Sequence, residues 1–199
     1  TRGCPFSCMF CGVANTKFRG INADRLVWYI NDLKSRYDAQ GIYFREDNFT
    51  VQPKRVEAFC DFLISEKLNI SWACESRVNN LSPKLIEKMA KSGCVGLYIG
   101  VESGSEKMLA YMRKGERREH FINKMPIIHA NGLTTYTSWV YGLPSETEED
   151  RIASDKFIEE LKDVKNINYI YISNFNPLDL YLIFGKIFFN SCTACNTNI

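Results

Sequence analysis

Thr1-Arg2-Gly3-Cys4-Pro5-Phe6-Ser7-Cys8-Met9-Phe10-Cys11-Gly12 sets three cysteines in the spacing C-x3-C-x2-C. Thiolates are soft ligands, and cysteines clustered in one short loop suit zinc or an iron-sulfur cluster. Structural zinc asks for four closed ligands, whereas the two histidines of the chain, His120 and His129, lie more than a hundred residues further on. A cluster held by three cysteines instead leaves one iron open to another ligand. Gly3 and Pro5 around Cys4, with Gly12 after Cys11, supply turn chemistry that wraps a loop around such a group.

Outward from this loop the chain alternates helical and strand patterns, with no low-complexity segment and no linker. Leu26, Ile30, Leu33 and Tyr37 recur at helical spacing within residues 23–39, and Gly41 follows as a stop. Ile42-Tyr43-Phe44 reads as a short buried strand. Pro53 opens a helix with Val56, Phe59 and Leu63 on one face, followed by the strand Ile70 to Cys74. Ser82-Pro83 caps a helix carrying Leu85, Ile86 and Met89 that ends near Gly93, and Val95 to Val101 is the third strand. Helices over 105–112 and 117–130 follow, then a strand over 134–141, a helix over 146–162 and a strand from Tyr169 to Ile172. Strands separated by helices predict right-handed parallel crossovers in an α/β fold, with ligands at the carboxyl ends of the strands.

Polar residues stand just beyond each of those ends. Arg45-Glu46-Asp47-Asn48-Phe49-Thr50 follows the first visible strand, and Glu46 or Asp47 offers an anionic acceptor for an ammonium group. An acidic turn is also a common solvated loop. Glu75 closes the second strand, either facing a ligand or forming a rim ion pair with Arg77. Glu102 and Ser103 close the third between Gly100 and Gly104, glycines that let backbone approach a ligand or shape a tight turn. Trp139-Val140-Tyr141-Gly142-Leu143-Pro144-Ser145 ends the fourth, and the same run works as plain helix-entry chemistry.

The cysteine loop, with Phe10 just before its third cysteine, resembles the signature of the radical S-adenosylmethionine superfamily. That resemblance implies that Cys4, Cys8 and Cys11 hold a 4Fe-4S cluster whose open iron chelates S-adenosylmethionine. One electron then splits the sulfonium into methionine and a 5'-deoxyadenosyl radical, for hydrogen abstraction, methylation or rearrangement. It further implies that Glu46 or Asp47 receives the amino group of S-adenosylmethionine and that Arg113 pairs with its carboxylate. Glu75, Glu102 and Ser103 approach the ribose hydroxyls, and Val140, Gly142 and Phe10 the adenine. The acid-acid-Asn-Phe-Thr run is similar to cobalamin-binding members, which implies cobalamin carried by a domain absent from this chain.

The family's core is a partial parallel (β/α)6 barrel whose cysteine loop follows the first strand. Thr1 falls where that strand has just ended, so the expectation is a fragment with its first strand missing. The likeness covers residues 1–178. From Asp179 the chain diverges, and 179–199 reads as a tail of unknown structure whose Cys192 and Cys195 lack a partner pair.

Composition fits one domain: 199 residues, 45% apolar, 13% aromatic and 24% charged, enough to bury a sizeable core. A net charge of +2 with no long basic run argues against DNA as a partner. The longest apolar run, Leu180 to Phe189, is too short for a membrane span and contains Lys186. No charged leader precedes the cysteines, and eight cysteines, three in metal-type spacing, fit a reducing cytoplasm. The expected partners are a small-molecule substrate and an external flavodoxin- or ferredoxin-like electron donor, with methylthio transfer to RNA as the runner-up. Two other classes compete: a non-catalytic metal or iron-sulfur module, and an inactive fragment of such an enzyme.

Overall fold

A computed structural model describes residues 1–163 and 169–174. The end of the expected core at 175–178, the expected tail 179–199, and Cys192 and Cys195 lie outside the described residues. The elements run α1 (Ala23–Tyr37), β1 (Gly41–Phe44), α2 (Pro53–Ser65), β2 (Ser71–Ser76), α3 (Pro83–Lys91), β3 (Cys94–Glu102), α4 (Glu106–Tyr111), α5 (Arg118–Ala130), β4 (Thr134–Tyr141), α6 (Glu148–Asp163) and β5 (Tyr169–Asn174).

Among the described residues five strands form one parallel sheet in the order β1-β2-β3-β4-β5, open rather than closed into a barrel. Each helix begins or ends where local chemistry dictates. Pro53 and Pro83 sit at the first turn of their helices, where a missing N–H costs nothing. Ser82 accepts from the Leu85 N–H and Ser105 from the Met108 N–H as side-chain caps. Asp38, in the left-handed region, stops α1 two residues short of the expected 39. The expected stripe of α1 also turns outward at its end: Leu26 and Ile30 are buried, but Leu33 and Tyr37 are exposed.

Alternation along the strands separates two faces. Toward the helices point Phe44, Trp72, Cys74, Leu97, Ile99, Val101 and Trp139, all buried. Phe44, Phe49, Phe59 and Trp72 interlock with ring centroids 4.8–6.0 Å apart. Burying each such side chain stabilises the fold by about 1.5–3 kcal/mol. Cys60, Cys74 and Cys94 are buried here as small hydrophobes, and burial pushes all three thiols up, Cys60 to about 11. The other face carries Tyr43, Glu75, Tyr98 and Tyr136. Tyr98 stacks between Tyr43 and Tyr136, at 4.8 and 4.3 Å. Among the described residues no helix is long and apolar enough to cross a membrane.

Candidate cofactor site

The cysteine loop folds on itself before it meets the sheet. The Asn15 N–H bonds to the Phe6 carbonyl at 2.8 Å, the Thr16 N–H to the Cys4 carbonyl at 3.0 Å, and Cys11 and Ala14 continue the turns. The Thr16 hydroxyl accepts from the Cys4 N–H, and Arg2 and Arg19 close the base of the loop by exchanging backbone hydrogen bonds.

Three contacts then hold the loop across the carboxyl ends of the strands. The Gly3 N–H donates to Asp47 Oδ2 at 2.7 Å, beyond β1. Arg77, beyond β2, donates from Nη1 to Cys8 Sγ at 3.1 Å. The Met9 N–H donates to the Met112 carbonyl at 2.9 Å, beyond α4. Cys4 and Cys8 are buried and Cys11 is half-buried. Burial raises the Cys11 thiol, and the neighbouring Cys4 and Cys8 add to it.

Three thiolates on one short loop are the soft donor set that an iron-sulfur cluster takes. Among the described residues no group of three His, Cys, Asp or Glu side chains is arranged to hold a single metal ion. The histidines lie elsewhere, His120 accepting from the Arg117 N–H at the start of α5 and His129 exposed in the last turn of that helix.

Around the loop the expected residues fall into three groups. Glu46 and Asp47 sit side by side; Glu46 accepts from the Thr1 amino group at 2.5 Å and also from its hydroxyl. Glu75 accepts from the Tyr43 hydroxyl at 2.8 Å, and burial raises its carboxyl above the usual range. It does not form the rim pair with Arg77, whose guanidinium turns toward the cysteine loop. Glu102 is buried with φ +71°, 3.3 Å from Lys114 Nζ and 3.4 Å from the Ser138 hydroxyl.

Phe10 and Val140 pack on one small apolar cluster of Met108, Leu109, Met112 and Leu143, which brings the loop to the end of β4. The Gly142 N–H donates to Glu146. Two expected residues point elsewhere. Ser103 meets Ser154 of α6 and receives the Ser105 N–H. Arg113 lies in the turn after α4 rather than on the helix, exposed and with φ +52°.

The sequence reading missed a buried charge network. Arg77, Lys114 and Glu116 are 7%, 5% and 2% exposed. Glu116 lies 3.5 Å from both cations, and Lys114 reaches on to Glu102. Within Arg113-Lys114-Gly115-Glu116-Arg117-Arg118 these charges look like any solvated turn, and the pairing of Glu116 with the distant Arg77 leaves no local period to read. The one available signal is Gly115, a positive-φ residue (+68°) that lets the turn double back.

The Radical SAM superfamily model matches residues 1–158. An uncharacterized methyltransferase of Pyrococcus horikoshii is 33% identical over 164 residues, 81% of this chain and 36% of that protein. The anaerobic magnesium-protoporphyrin IX monomethyl ester cyclase of Rubrivivax gelatinosus is 26% identical over 152 residues, 74% of this chain and 27% of its own length. The chain therefore spans about a third of the curated relatives it matches. Among solved structures, the methyltransferase TsrM of Kitasatospora setae, with cobalamin and a [4Fe-4S] cluster bound, superposes with a TM-score of 0.76 at 14% identity, over 86% of this chain and 35% of TsrM. The family match, taking in well over half of the 199 residues and beginning at the cysteine loop, makes this chain a member of the Radical SAM superfamily.

Proposed function

We propose that this chain is the cofactor-binding core of a radical S-adenosylmethionine enzyme, with Cys4, Cys8 and Cys11 as the ligands of a 4Fe-4S cluster. The observation that carries the reading is the anchoring of the cysteine loop over the strand ends, through Asp47, Arg77 and Met112. When bound, the reduced cluster supplies the one electron that cleaves S-adenosylmethionine. Glu46 and Asp47 are an anionic pair suited to the amino group. Glu75 and Glu102, at the ends of adjacent strands, suit the ribose hydroxyls. Phe10 and Val140, packed on one apolar cluster, and the Gly142 backbone suit the adenine.

The electron comes from an external flavodoxin- or ferredoxin-like donor in a reducing cytoplasm. Relatives that are a methyltransferase and a ring-forming cyclase support methyl transfer or rearrangement on a small molecule. The acid-acid-Asn-Phe-Thr run supports cobalamin brought by a domain outside these residues. The proposed core is residues 1–178, with 179–199 as a divergent stretch of sequence. Anaerobic reconstitution with iron and sulfide, then dithionite and S-adenosylmethionine, is expected to release 5'-deoxyadenosine. Equal yield from a C4A/C8A/C11A variant would refute the reading.

A further inference from the structure

Arg77 stands just past β2 with its guanidinium buried between the cysteine loop and the turn at 114–116. Nη1 donates to Cys8 Sγ at 3.1 Å, the guanidinium carbon lies 4.1 Å from the centre of the Phe6 ring, and Nη2 donates to the Lys114 carbonyl. Glu116 faces it at 3.5 Å, an ion-pair rather than a hydrogen-bond distance. Arg77 Nε has no hydrogen-bond partner among the described residues.

Two buried acids, Glu102 and Glu116, balance two buried bases, Arg77 and Lys114. Burying four charges costs desolvation that apolar side chains of similar size avoid, so stability alone is a poor reason for the set. The network does deliver one thing that an apolar patch cannot, a cation and an N–H directed at the sulfur of Cys8.

We propose that Arg77 is a positioning residue for the cluster: it fixes the Cys8 sulfur and raises the potential at which a cluster on Cys4, Cys8 and Cys11 accepts its electron. The inference rests on the reading that Cys8 is a cluster ligand. A hydrogen bond to a thiolate is charge-assisted, and hydrogen bonds to the sulfurs are among the factors that set iron-sulfur potentials. Reduction adds one electron from the external donor, taking the cluster from its 2+ to its 1+ state; no bond breaks and no proton moves. The extra negative charge is held more favourably beside the guanidinium, so reduction becomes easier.

The test compares reconstituted wild type with R77K and with R77Q/E116Q, which removes one acid and one base together and keeps the buried charge balanced. Iron and sulfide are counted per chain, and the midpoint potential is read from an EPR-monitored titration with dithionite. The double variant is expected to be about tenfold harder to reduce, a midpoint about 59 mV more negative for one electron. R77K, which keeps the charge but loses the planar fork, is expected to fall between. A folded double variant that loads no cluster, where wild type does, also supports the positioning role. A double variant with a full cluster and the wild-type midpoint overturns it.

Wild-type protein carrying 15N only in the arginine guanidinium provides a measurement that needs no variant. Pulsed EPR of the reduced cluster is expected to show a weak 15N coupling, and its absence overturns the proposal. Failure of the wild type to bind any cluster brings down the functional reading itself, which separates the two failures.

Discussion

Glu102 shows how one residue's backbone serves the site. Its φ of +71° follows an irregularity in the pairing of β3 with β4 between Gly100 and Glu102. The side chain folds back across Gly100, so a Cβ there meets Glu102 Oε1 at 2.1 Å and Lys114 Nζ at 2.9 Å. Gly100→Ala is therefore expected to displace the Glu102 and Lys114 pair and lower stability by about 1–3 kcal/mol, seen as an earlier denaturant midpoint. Loss of S-adenosylmethionine binding by the same variant, measured by calorimetry, is expected to accompany it. At this scale the acids Glu46, Asp47, Glu75 and Glu102 were legible because each stands where a parallel strand ends, and strand ends follow from apolar runs. Lys114 and Glu116 were not, since their burial depends on Arg77 and on the cysteine loop arriving from other parts of the chain.

Between elements, the junction of α4 with α6 is built with little clearance. A Cβ on Gly104 meets the Ala153 carbonyl at 2.4 Å and Phe157 Cβ at 2.7 Å, so Gly104→Ala forces α6 outward. The expected cost is about 1–3 kcal/mol, with near-normal helix content by circular dichroism. Asp150, in the first turn of α6, ties the same junction. Bonds from Lys107, Ser105 and Thr147 hold its carboxyl well below the usual carboxylate range. Lys107 is mostly exposed, which weakens its ion pair in solvent, and the Ser105 and Thr147 donors add to the hold.

A carboxyl lowered in the folded state contributes stability above its unfolded pKa, about 3.9, and loses it as the pH falls through the folded value. Asp150→Asn is thus expected to melt earlier than wild type at pH 7, with the difference closing below about pH 4. The elements themselves were readable from apolar period and from Ser82, Pro53, Pro83 and Gly93. The outward turn of Leu33 and Tyr37 was not, because a periodic stripe does not report which of its turns has a neighbour to pack on.

For the whole molecule, an open sheet of five parallel strands gathers its carboxyl ends on one side, and a loop of three cysteines is fastened across them. The alternation of strands and helices foretold that layout, and Cys4, Cys8 and Cys11 carried the resemblance to the family that the model match shows. What the sequence left unread is the fastening: the contacts from Asp47, Arg77 and Met112 join residues 44 or more positions apart, and only the fold brings them together. The central claim is that this fastening holds a 4Fe-4S cluster with one iron open to S-adenosylmethionine. EPR of the reconstituted, dithionite-reduced chain, recorded before and after S-adenosylmethionine is added, tests it most directly. The account predicts a reduced-cluster signal whose g values shift on addition and which is absent from the C4A/C8A/C11A variant. A signal unchanged by S-adenosylmethionine, or zinc bound without sulfide, would contradict it.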